Sequence, residues 1–220
     1  VGDTKQNAVE SEVAQQLYFL MSGEENDQWF YERNTDRWEI IGNLKDWVDK
    51  DTMRSGGLGG YEDSLYNTLD PPYLTKNAPF DTVQEMRVVA GWEGEVTDRF
   101  GEYLTVFGDS AGKVNILTAP PEVLNSLVRA CAQPPPNDDQ LGQCTSNIDD
   151  NTFGFPPSGS DDFASRYLQY CGIELDKQCL KDKVTESSST FTISSTGLVG
   201  TSSVTITAIM DFNRKSIGEK

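Results

Sequence analysis

Val9, Val13, Leu17, Leu20 and Met21 recur along "NAVESEVAQQLYFLM" at intervals of three and four. That is the spacing of one helix face, and it predicts a helix over residues 7–21 that Gly23 ends. The next apolar face is made by Ile40, Ile41, Leu44, Trp47 and Val48 in "DRWEIIGNLKDWV". Asp36 and Glu39 stand at capping-box spacing ahead of it. Residues 69–80, "LDPPYLTKNAPF", predict extended chain, because each proline biases its predecessor away from helix. Thr82 and Glu85 box a short helix in "TVQEMRVVA", stopped by Gly91.

Farther along, "EYLTVFG" (102–108) reads as a strand-like or extended run. "KVNILTAPPEVLNSLVRA" (113–130) reads as extended and then helical, with Thr118 as N-cap and Pro120 and Pro121 in the first turn. Asn115 and Thr118 are expected to hold that turn, and Val114, Ile116 and Leu124 to fill core. The Pro-, Asp-, Asn- and Gly-rich stretch 132–160 predicts a long irregular loop, which needs something to tie it down. A helix over 161–171 follows, with Ser160 as cap.

The periodicity then changes. In "TFTISSTGLVGTSSVTITAIMDF" (190–212), Phe191 and Ile193, then Val204, Ile206 and Ala208, alternate with polar residues on either side of Gly200. Period two around a glycine predicts an antiparallel hairpin. Two strands are not stable alone, so this hairpin is expected to pair with another strand or pack on a helix. The chain reads as mostly helical with one small β element near its end and no internal repeat.

Charge narrows what such a chain does. Its 220 residues carry a formal net charge of -17, which opposes nucleic-acid binding, where basic residues must displace phosphate counterions. Four Trp, eight Tyr and ten Phe support a real core rather than a disordered chain. There is no histidine, which removes Ser-His and Cys-His nucleophile pairs, histidine bases and histidine metal ligands. Cys131, Cys144, Cys171 and Cys179 contain no C-x-x-C pair, so a zinc knuckle is not expected. Their spacing suggests two local disulfides, Cys131–Cys144 and Cys171–Cys179, in an oxidising compartment; the alternative is four free thiols in the cytosol. The first bridge would tie down the 132–160 loop. No apolar run approaches the roughly 18 residues of a membrane span. Val1 follows no leader or methionine, which suggests a soluble piece of something longer.

The chemistry concentrates in "DWVDKDTMRSGGLGGYEDSLY" (46–66), where five carboxylates flank a flexible centre. Like charges this close repel, and a Gly-rich backbone is costly to order. Asp49, Asp51, Glu62 and Asp63 are hard oxygen donors of the kind Ca²⁺ takes in six- to eight-fold coordination. The loop lacks the EF-hand pattern, and a solvated acidic loop is the plainer reading of the charge alone. A glycosidase acid–base pair is the enzymatic alternative, with Trp47, Tyr61 and Tyr66 for sugar stacking. Residues 113–127 resemble the start of a helix-hairpin-helix unit, but the glycine hairpin is replaced by "RACAQPPP" and the charge is wrong for nucleic acid.

"NLKDWVDKD", "GGYEDSLYNTLDPPYLTKNAPFDTVQEMRVVAGW", "YLTVFG" and "KVNILTAPPEVL" stand in one order. Together they resemble the type II secretion system protein K family, the large minor pseudopilins, most strongly over about residues 43–127. The resemblance implies an α+β pseudopilin fold: an N-terminal helix, here truncated, packed on a small antiparallel sheet, with a large helical α-domain inserted. Residues 1–185 would be mostly that α-domain, with a possible remnant of the pseudopilin core at the N-terminus, and 186–220 the C-terminal hairpin of the sheet. It implies a non-enzymatic tip component of a periplasmic pseudopilus, in contact with minor pseudopilins I and J, and H. The full-length protein would be anchored in the inner membrane by a helix not seen here. It also implies calcium in the α-domain, with Asp49, Asp51, Glu62 and Asp63 as candidate ligands. The cysteines are not part of the shared pattern, but a periplasmic location permits disulfides.

Overall fold

A computed structural model describes residues 12–55, 59–108 and 112–212. The expected first helix is present as α1, Glu12–Leu20; its predicted start at 7–11 lies outside the described residues. Next come α2, Glu24–Glu32, and α3, Arg37–Val48. Asp36 caps α3 by accepting from the Trp38 and Glu39 amides, which satisfies two donors that no helical carbonyl can reach. Glu39 leaves the box and pairs with Arg54 at 3.1 Å.

Short 3₁₀ turns follow at Glu62–Leu65 and Val83–Val88, the second capped by the Thr82 side chain on the Glu85 amide. Helix α4 spans Glu95–Phe100, and Gly101–Tyr103 forms another 3₁₀ turn. The strand-like reading of 102–108 is therefore corrected: this run is a 3₁₀ turn and bends, and no partner strand pairs with it among the described residues.

Around these elements lies the first core. Trp92, Met21, Val89, Tyr66 and Phe30 are buried in it, with Ile40, Ile41, Trp47 and Phe100 alongside. The Trp92 indole donates to the Ile40 carbonyl at 2.8 Å, so its polar edge is not orphaned. Gly91 makes this contact possible. Its φ is +83°, and a Cβ there would stand 2.2 Å from Ile40 Cγ2. Gly91→Ala is thus expected to destabilise the protein by about 2–4 kcal/mol, measured by denaturant unfolding, through both strain and overpacking. An unchanged midpoint would mean that the Ile40 side of this contact is free to move.

The second half begins with β1, Val114–Asn115, and α5, Pro121–Cys131. Pro120 holds the N-cap position, not Thr118, whose amide bonds the Asn115 carbonyl in the preceding turn. Asn115 also accepts from the Leu117 amide, as expected of a turn-holding residue.

The expected 132–160 loop is corrected most. Residues Asp138–Thr152 form a 15-residue helix, α6, with a complete capping box between Asn137 and Gln140. Helix α7, Ser160–Cys171, starts after Gly159 in the N-cap place expected for Ser160, and α8 spans Lys177–Lys183. β2, Val184–Thr185, pairs in parallel with β1. Ile116, Leu127, Val128, Leu141, Phe163, Tyr167, Leu180 and Val184 fill this second core.

Both disulfides lie in the second core, and their pairing corrects the local one expected from spacing. Cys131 joins Cys179, and Cys144 joins Cys171. The reason is helical geometry. Helices α6 and α7 pair antiparallel, which places Cys144 beside Cys171, and the start of α8 returns to the end of α5. Neighbours in sequence lie on different helices. The two halves meet where α1 packs on α5. There the buried Arg129 guanidinium donates to the Ser22 carbonyl at 3.1 Å and pairs with Asp138.

The hairpin is present as β3, Thr190–Val199, and β4, Ser202–Asp211, in antiparallel register with Val199 opposite Ser202. Gly200 at φ +61° allows the tight turn between them. Phe191, Ile193, Val204, Ile206, Ala208 and Met210 share one face by this register. Hydroxyl pairs Ser194–Thr207 and Thr196–Thr205 lie on the other. The apolar face is exposed along its length, with Val204 and Ile206 each 68% accessible.

Candidate metal centre

The acidic loop is closed by backbone pairing before any side chain acts. The Glu62 amide donates to the Thr52 carbonyl, the Arg54 amide to Gly60, and Met53 bridges Tyr61. This brings the 3₁₀ turn at Glu62 back against the end of α3. Asp46 and Asp49 are three residues apart there, on one side of the helix. Oxygens of Asp46, Asp49 and Glu62 all lie within 4.8 Å of one another.

Asp49 and Glu62 from the expected set are thus brought together, and the third member is Asp46, which the sequence reading passed over. Asp51 stands near enough for its charge to act on Asp49 and Glu62, but one of its oxygens accepts from the Met53 amide at 2.8 Å. Asp63 is engaged elsewhere: Oδ1 accepts from the Thr75 amide and hydroxyl at 2.9 and 3.0 Å, which pins the proline-rich segment. Asp46 had a legible signal in its spacing from Asp49. It was masked by the neighbouring tryptophan, which reads as core.

The electrostatics of the three are unfavourable. Glu62 is 1% exposed and Asp46 2% exposed. Asp46 accepts from the Ser55 amide at 2.9 Å. Neither oxygen of Glu62 has a hydrogen-bond partner, nor does Asp49 Oδ1. Nearby cations, Lys45 and Arg54, compensate only in part. Arg54 is directed to Glu39, and Lys45 comes only to 3.9 Å of the other Asp49 oxygen. At an effective dielectric near 20, two such charges repel by on the order of 3 kcal/mol per pair.

Accordingly, burial first, then the Asp46, Asp49, Asp51 and Asp63 charges, push the Glu62 carboxyl up to about 7. Burial raises Asp46 too, against the opposing hydrogen bonds from Ser55. Asp49 is raised by burial and by Asp51. Buried acceptors without donors are rare in folded proteins, and three such oxygens, both of Glu62 and Oδ1 of Asp49, beside the buried Asp46 fit a hard cation. The all-oxygen set suits calcium rather than zinc or copper, which favour nitrogen and sulfur ligands.

The same burial weighs against the glycosidase reading, although Tyr61 stays 66% exposed. Two of the three clustered carboxylates are closed off, and Trp47 and Tyr66, offered as sugar platforms, are packed edge to face at 5.4 Å inside the core. Burial pushes the Tyr66 hydroxyl up to about 12, and it accepts from the Ala90 amide. Trp47 donates to Glu85 at 2.9 Å.

A buried acidic centre between α3 and a glycine-rich loop, beside a helical second core and a β-hairpin, defines an α+β scaffold. The same architecture occurs in the crystal structure of the GspK-GspI-GspJ complex from the enterotoxigenic Escherichia coli type 2 secretion system. One chain there superposes with a TM-score of 0.62 at 20% identity, over 89% of this chain and 63% of that one. Residues 3–109 match a family model described as type II secretion system (T2SS), protein K. The first half of the chain is therefore similar to type II secretion system protein K, as the resemblance implied.

Type II secretion system protein K of Klebsiella pneumoniae is 36% identical over 84 residues, 38% of this chain and 25% of that protein. The Aeromonas hydrophila protein K is 36% identical over 90 residues, 41% of this chain and 27% of that protein. The matched segment spans about a quarter of the length of these relatives.

Proposed function

We propose that this chain is the periplasmic part of a type II secretion minor pseudopilin that caps the pseudopilus tip and helps it assemble. A calcium ion held by Asp46, Asp49 and Glu62 fixes the shape of its α-domain. The unpartnered, buried Glu62 carboxylate, inside a segment that matches protein K, is the observation that carries this reading. The ion supplies no reaction. Its chemistry is charge neutralisation, which lets the 52–62 loop close on α3. The likeness to a chain of the GspK-GspI-GspJ complex supports contact with I- and J-type minor pseudopilins.

The open apolar face of β3–β4 supports a second element of the reading. A one-sided hairpin needs a cover, and in the full-length protein the remaining pseudopilin core, including the membrane-anchored helix, provides it. Mixing this chain in calcium with the purified I and J proteins of the same organism tests the partnership. A single ternary peak in size-exclusion chromatography with light scattering is expected. Separate elution of all three overturns the tip assignment.

A further inference from the structure

We infer that the turn between α6 and α7 is a preformed anchor that inserts two phenylalanines into an apolar pocket, rimmed by Lys and Arg, on a protein partner. The inference rests on the secretion-system reading above but concerns a surface that reading does not use.

Three observations meet at this turn. Phe153 and Phe155 are 87% and 70% exposed, side by side in "TFGFPP". Single exposed apolar residues are ordinary, but two large aromatics at a loop tip form a patch. Phe153 also sits at φ +53°, the left-handed cap position where glycine or asparagine is normally found. A bulky side chain there costs stability and, being exposed, recovers none by packing. Strain kept at a solvent-facing aromatic is the mark of a contact residue.

Moreover, the turn is held rigid. Arg166 donates to the Phe155 carbonyl at 2.6 Å and to the Pro156 carbonyl at 3.0 Å. Asp162 pairs with Arg166 and accepts from the Ser158 amide at 2.8 Å. That amide bond first, then Arg166 against the cost of burial, holds the Asp162 carboxyl below its ordinary range. The Cys144–Cys171 bridge closes the other end of the helix pair. A preorganised aromatic pair loses little entropy on binding, which is what binding anchors require.

Charge selects the partner. Residues 138–171 contain six aspartates and one arginine, and that arginine is committed inside the turn. Asp149, Asp150 and Asp161 are exposed and lie within six residues of an aromatic in sequence. Such a collar repels anionic lipid headgroups and is matched by a cationic rim around an apolar pocket.

The test uses the full-length protein in the bacterium that carries it. Phe153→Asn with Phe155→Ser removes both rings, and asparagine relieves the left-handed position, so the melting temperature is expected to stay level or rise. Secretion through the system is expected to fall at least about tenfold. A photo-crosslinking p-benzoylphenylalanine in place of Phe155 is expected to trap one secretion component. That adduct should be lost with Asp149→Lys and Asp150→Lys, and absent when the probe replaces the exposed Gln169. Undiminished secretion, or crosslinks no different from those at 169, overturns the anchor. So does stronger binding of the Lys variants' parent to phosphatidylglycerol vesicles than to phosphatidylcholine vesicles, which would make the turn a membrane contact. Deletion of the whole gene separates the two readings: normal secretion without it defeats the secretion assignment itself.

Discussion

Calcium added to the chelator-treated protein is expected to raise its melting temperature by on the order of 10 °C. A ligand that binds only the folded state adds about 2.7–4.1 kcal/mol at 100 to 1,000 times its dissociation constant. For a chain of this size each kcal/mol moves Tm by about 2–4 °C. The effect should fall on the core built from Ala14 to Phe100, because Asp46, Asp49 and Glu62 join α3 to the loop that returns to it.

The pH dependence carries the same signature. Glu62 has a folded-state pKa raised to about 7 from an ordinary 4.5, so the chelated folded state binds its proton more tightly than the unfolded chain. Its contribution to stability is therefore present below 4.5 and lost as pH rises through 7. Calcium wants the deprotonated carboxylate and should remove this loss. Glu62→Gln separates charge from shape: above pH 7 in chelator it should melt higher than the parent, and calcium should no longer stabilise it. Superimposed melting curves with calcium and chelator would eliminate the metal centre and leave three clustered carboxylates without a counter-ion.

Legibility followed how strongly each feature was written into local pattern. Helices α1 and α3 have continuous apolar faces, and the β3–β4 hairpin has clean period-two alternation, so their type and approximate limits were readable. Helix α6 was not, because its inward stripe is only Leu141, Cys144 and Ile148 amid Asp, Asn, Gly and Gln. Its one local signal, Asn137 three residues before Gln140, was hidden behind three prolines. Helix α2 was missed for a similar reason: "EENDQWFYE" buries only Phe30 fully.

At the acidic centre the loop itself was legible from charge and glycine, and two of four candidate ligands meet. The choice among its carboxylates was not legible, because it depends on what the backbone asks of each. Asp63 is drawn to Thr75 and Asp51 bonds Met53, whereas Asp46 is carried inward by the helix turn it shares with Asp49. Four cysteines allow three connectivities, and only the helix packing selects among them.

The second large effect concerns that packing. Reductant is expected to lower stability in the 116–184 core while leaving the calcium response intact. Bridges spanning 48 and 27 residues restrict the unfolded chain by about 4 and 3.5 kcal/mol in a chain-entropy account. The loop closed by Cys144–Cys171 lies inside the one closed by Cys131–Cys179, so losing both should cost less than that sum.

With two cores, a single two-state curve is not required. Under reductant an early transition should separate, reporting loss of α5–α8 packing, while the later one still moves with calcium. The coupling between them runs through α1 on α5 and through Arg129, which bonds Ser22 across the boundary. Arg129→Ala should therefore widen the separation, since it removes the buried guanidinium that bonds Ser22 and pairs with Asp138 at the boundary. Peptide mapping without reductant should recover Cys131 with Cys179 and Cys144 with Cys171. Four free thiols, or identical curves with and without reductant, would mean that this core closes by helix packing alone.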